Sequence, residues 1–114
     1  MFDLNELCVM AYENAAKREA KDGKVSTDTR LMLKHTATEV VEAMEAFAEL
    51  DIVREANKDT EVCTFDDEKR FASELADIVC CVLIIAGKEN IDMEMALTEC
   101  MEKNYKRAIG EGDK

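Results

Sequence analysis

The 114-residue sequence contains no proline, no tryptophan and only four glycines. Aromatic side chains make up 5% of it, while Ala, Glu, Lys, Met and Leu dominate. This composition favours helices over sheets. One histidine, His35, is present, and the five cysteines (Cys8, Cys63, Cys80, Cys81 and Cys100) form no CxxC pair and no His/Cys zinc spacing. Three of them sit in apolar surroundings, so free buried thiols in a reducing cytosol are expected. Positive charge is scarce: 15 basic residues face 26 acidic ones, a net charge of −11. That balance argues against nucleic acid and anionic membranes as partners, since both want a basic surface. The N-terminus "MFDLNELCVM" lacks the basic start of a signal peptide. The longest apolar run, Ile78–Gly87, is about half of what spans a bilayer. A cytoplasmic protein is the expectation.

What is present reads as one all-α domain over residues 1–114, small enough to gain from association. No repeat or low-complexity linker interrupts it. Four helical segments emerge, at about 3–21, 28–56, 65–88 and 92–108. Gly23 stops the first, with Ser26, Thr27 and Asp28 as N-cap types for the second. Thr64 and Asp67 have capping-box spacing before the third, and Asn90 or Asp92 caps the fourth. Leu33, Ala37, Val40, Val41, Met44, Phe47 and Ala48 form the main apolar stripe of the second segment. Met95, Ala96, Cys100 and Met101 are expected to face inward on the fourth, and "GEGDK" to fray. Short connections between the last three segments imply antiparallel neighbours, hence a four-helix bundle.

The acids carry the chemistry. Glu74 and Asp77 lead straight into the apolar run, continuing the face of Ile78, Cys81, Ile84, Ile85 and Lys88. Residues three apart are neighbours on a helix surface. Glu74 is too far from the helix start for the helix dipole to explain it. On the second segment Glu39 and Glu42 have the same spacing, although a solvated glutamate-rich face would produce it too. Glu39 stands out because Ala43, Ala46 and Leu50 continue a second, mostly uncharged stripe from it. His35, one turn before Glu39, fits a structural or exposed histidine as well as a site residue. Four carboxylates converging from two antiparallel helices suit a hard divalent cation such as Mg²⁺ or Mn²⁺. A di-iron centre would want Glu-x-x-His motifs, which are absent. Lys103, Asn104, Lys106 and Arg107 form a cluster of opposite sign; they suit either the helix C-terminus or a phosphate.

"EVVEAMEAF", followed by "SELADIVCCVLIIAGKENIDMEMALTECMEKNYKR", resembles the MazG-type all-α nucleotide pyrophosphohydrolases. The likeness runs over about residues 30–107. It implies that Glu39, Glu42, Glu74 and Asp77 are catalytic and hold Mg²⁺, with Glu42 and Glu45 as the alternative register. Lys103, Asn104 and Arg107, with His35, would meet the substrate. The implied reaction cleaves a nucleoside triphosphate to the monophosphate and pyrophosphate, in a house-cleaning role and within a homodimer or homotetramer. Three departures stand out. Thr38 precedes Glu39 where an acid is usual, the interval from Glu42 to Glu74 is long, and "KDGKVSTDT" has no base-stacking aromatic. A non-catalytic helical module that keeps the fold, or a phosphoribosyl-ATP pyrophosphohydrolase-like enzyme, are the alternatives.

Overall fold

The computed structural model describes residues 3–60 and 63–110, and all of its regular structure there is helical. The helices are α1 (Leu4–Asp22), α2 (Thr29–Ala56), α3 (Phe65–Lys88) and α4 (Met93–Ala108). Their ends follow local chemistry. Asp3, Asp28 and Asp92 are N-caps whose side chains accept from the amides of Glu6, Leu31 and Met95. Gly23 closes α1 at φ 67°, a left-handed conformation that costs glycine little. Asn90, at φ 55°, does the same after α3. The Asn90 amide donates to Gly87 O and the Ile91 amide to Ala86 O, which satisfies the last carbonyls. Thr64 departs from the expected capping box. Its backbone is not extended, and its hydroxyl bonds Glu68 instead of capping an amide.

α3 is the central element and packs against both α1 and α2. Contacts between α2 and α3 run in opposite order along the two helices. Arg54 pairs with Glu68, Arg70 with Glu49, and the Phe47 and Phe71 rings lie 5.2 Å apart. The helices are therefore antiparallel. The buried apolar residues are Cys8, Ala15, Met32, Ala43, Ala46, Leu50, Cys81 and Ala86, half of them alanine. Small residues let the helices close up, and that decides which face of α2 turns inward. It is the second stripe, with Glu39, Ala43, Ala46 and Leu50, that meets α3.

The expected main stripe of α2 points outward within the single chain. Leu33, Val40, Val41, Met44 and Phe47 are all exposed. So are Met95, Ala96, Cys100 and Met101 of α4, which were expected to face inward. α4 rests on α1, joined at its start by Asn5, whose side chain donates to Asp92 Oδ1 and accepts from the Glu94 amide. Of the cysteines, only Cys8 and Cys81 are buried. The final residues expected to fray lie, from Glu111 on, outside the described residues. Among the described residues no helix is long and apolar enough to cross a membrane.

Candidate metal centre

The antiparallel pairing of α2 and α3 brings Glu39 opposite Glu74 and Asp77. One carboxylate oxygen from each lies within 4.8 Å of the other two. Glu39 is 8% exposed, Glu74 half-buried and Asp77 open to solvent. Glu39 Oε1 meets His35 Nε2 at 3.2 Å, one turn back on α2. Glu39 Oε2 and Glu74 Oε2 are buried with no hydrogen-bond partner among the described residues. Burial raises the pKa of Glu39, and the charges of Glu42, Asp77 and Glu74 raise it further against the opposing effect of His35.

Two buried, unpartnered carboxylate oxygens are costly as they stand. A divalent cation would satisfy both and cancel the like-charge repulsion. The donor set is all oxygen, which fits a hard cation rather than zinc or copper. The residues present therefore fit such an ion.

Glu42 lies at the edge of the cluster. It is exposed, yet its charge is the largest electrostatic influence raising the pKa of Glu39. Glu45 is exposed and outside the cluster. Lys103, Asn104 and Arg107 are exposed on α4, whose packing is against α1, so a single chain does not gather them to the acids. Thr36 and Cys81 were not singled out as site residues. Cys81 is buried one turn beyond Asp77. Burial pushes its thiol up, a hydrogen bond with Thr36 works against this, and Glu39 and Asp77 add to the rise. Their spacing from Glu39 and Asp77 was the available signal.

Residues 27–109 match the family model described as the MazG nucleotide pyrophosphohydrolase domain. The chain belongs to the MazG family. The match takes in all three clustered acids and the whole of α2, α3 and α4, while α1 lies outside it. No curated protein and no solved structure matches the chain.

The raised pKa of Glu39 has a measurable consequence. Without metal, the folded chain holds this proton to higher pH than the unfolded chain does. Its contribution to stability is full below the ordinary value of 4.5 and is lost as pH rises through the raised folded value. Glu39→Gln removes that loss. In chelator the variant should be more stable than the parent at neutral pH, and the difference should shrink as the pH falls and Glu39 takes up its proton. It should also no longer be stabilised by a divalent cation. Thermal melts from acidic to neutral pH, with and without the cation, read both effects. An unchanged cation response would remove Glu39 from the site.

Proposed function

We propose that the chain is a Mg²⁺-dependent nucleotide pyrophosphohydrolase, one domain over residues 1–114, that converts a nucleoside triphosphate to the monophosphate and pyrophosphate. The observation that carries this reading is the pair of buried, unpartnered oxygens on Glu39 and Glu74 inside a three-carboxylate cluster. Mg²⁺, with Mn²⁺ as substitute, would be held by Glu39, Glu74 and Asp77, with Glu42 at the rim. Once bound, it would polarise the phosphoryl oxygens and lower the pKa of the attacking water. Glu39 is engaged by the cluster and by His35, so Glu42, exposed beside it, is the carboxylate free to orient that water as base. His35 fixes the direction of Glu39 and faces solvent on its other side. A cytoplasmic house-cleaning role, removing aberrant or excess nucleotides, follows from this activity.

Association supports the same reading. A compact chain of this length has a radius of gyration of about 13 Å, and this one has 17.8 Å. Val41 and Met44 on α2, and Met95, Met101 and Tyr105 on α4, are each more than half exposed. Apolar surface of this kind marks an interface. We therefore read the protein as a homodimer or homotetramer, in which Lys103, Asn104 and Arg107 of one copy can serve the acids of another. Light scattering should return two or four times 12.8 kDa, and Met44→Asp should lower that mass. A monomeric parent protein would refute the assembly.

The activity is tested by pyrophosphate release across a panel of ribo- and deoxynucleoside triphosphates and phosphoribosyl-ATP, with Mg²⁺ and Mn²⁺. Release from phosphoribosyl-ATP alone would narrow the substrate. No release from any member would leave a helical interaction module that keeps the fold.

A further inference from the structure

One turn along the α2–α3 contact from the three clustered acids, Thr36 and Cys81 meet across it and share a hydrogen bond. Thr36 lies three residues before Glu39 and Cys81 four after Asp77, so each shares a helix face with its acid. Cys81 is 5% exposed and Thr36 half-buried, and the charges of Glu39 and Asp77 both reach the thiol. Cys81 is nevertheless no ligand. Its sulfur lies outside the group of ligand atoms that the acids form. A thiolate binds metal and a thiol does not, and burial pushes this thiol up, so it stays protonated at neutral pH. What Cys81 supplies is small size at a helix contact. Packed helices stand about 8–10 Å apart, depending on the side chains between them. On the other side of the acids Ala43, one turn beyond Glu39, is equally small and buried. Met32, one turn before Thr36, is buried as well, so the contact has no slack in which a larger group could settle.

We infer that Cys81, with Thr36 opposite it, is a positioning residue that matches the carboxylate cluster to a cation of Mg²⁺ size over one of Ca²⁺ size. This rests on the cluster holding a divalent cation and not on the hydrolase activity. The acids come from both helices, so the helix spacing sets the span from Glu39 to Glu74 and Asp77. Oxygens on opposite sides of one ion stand about 4.2 Å apart for Mg²⁺ and about 4.9 Å apart for Ca²⁺, twice the metal–oxygen distance. The three carboxylate oxygens lie within 4.8 Å of one another. The two fits therefore differ by about 0.7 Å, less than the spread of helix spacings that contact side chains produce. Mg²⁺ also demands near-ideal octahedral geometry, whereas Ca²⁺ accepts a looser and larger shell. Parting the helices at Cys81 thus costs Mg²⁺ more than Ca²⁺.

The test is the ratio of Mg²⁺ to Ca²⁺ affinity in the full chain, read from the rise of melting temperature with the concentration of each cation. No nucleotide is present. Cys81→Leu should lower that ratio about tenfold, and the smaller step Cys81→Val about threefold, as the span moves towards Ca²⁺. Cys81→Ser keeps the size and should hold the ratio within about twofold of the parent. Ala15→Val overpacks a buried position on α1, a helix that supplies no acid to the cluster. It should lower the melting temperature and leave the ratio unchanged, which separates a loosened fold from a resized site. Should Cys81→Leu not fold, Cys81→Val carries the same expectation. An unchanged ratio in the enlarged variants, or an equal shift in Ala15→Val, overturns the positioning role. If neither cation stabilises the parent, the cluster is no metal centre and the role falls with it. If the ratio shifts as expected while no nucleotide releases pyrophosphate, the role stands and the hydrolase reading falls. If nucleotides are hydrolysed while the ratio ignores Cys81, the reverse holds.

Discussion

Asp77→Asn and Glu74→Gln should each lower the rate of pyrophosphate release by about a thousandfold, the effect of losing several kcal/mol of transition-state charge stabilisation. The two acids sit on one face of α3 and meet Glu39 across the α2–α3 contact. An amide keeps the shape of the carboxylate but gives up its charge, so the cluster falls from three negative groups to two. The cation that balances them is then held more weakly, and its stabilisation of the fold shrinks with it. Asp77 is open to solvent, so Asp77→Asn leaves the packing of α3 untouched. Rate and melting temperature therefore separate: the metal-free melt stays near the parent while the rate collapses. Glu42→Gln should lower the rate and leave the cation-dependent melting shift largely intact, because Glu42 stands outside the cluster. Activity of Asp77→Asn within tenfold of the parent would refute the assignment of the site.

Gly87→Ala should destabilise the protein by about 2 kcal/mol, a fall of about 10 °C in melting temperature. On helix propensity alone the sign would be opposite, since alanine is favoured over glycine by about 1 kcal/mol. Packing decides otherwise. A Cβ on Gly87 would lie 2.3 Å from Cys8 O and 2.8 Å from Tyr12 Cβ, where α1 crosses α3. The nearest obstacle is backbone and cannot turn aside as a side chain would, so the two helices must separate. Cys8 and Ala86, both buried beside this crossing, would lose their packing. Lys88, whose ammonium sits 5.8 Å from the Tyr12 ring centre, would shift with them. An unchanged or raised melting temperature would show that the helices do not approach as closely as described.

The sequence by itself determined the helices and their ends. Every helix begins and ends within one residue of its expected bounds, because caps such as Asp28 and Asp92, and the stop at Gly23, are local chemistry. The burial of Glu39 was legible for the same kind of reason. A carboxylate in line with Ala43, Ala46 and Leu50 turns wherever they turn, and Glu74 is carried part-way inward by the apolar face it continues, with Asp77 beside it open to solvent. Helical periodicity does not say which of two apolar stripes meets a neighbour in the same chain. Tertiary structure decided that α2 closes on α3 through its small residues, leaving Val41 and Met44 outside, since close approach rewards alanine over larger side chains. It alone decided that α4 rests on α1, away from the acids, and it alone set Cys81 against Thr36. Those two residues belong to different helices, and spacing along a chain carries no record of which surfaces a turn will fold together.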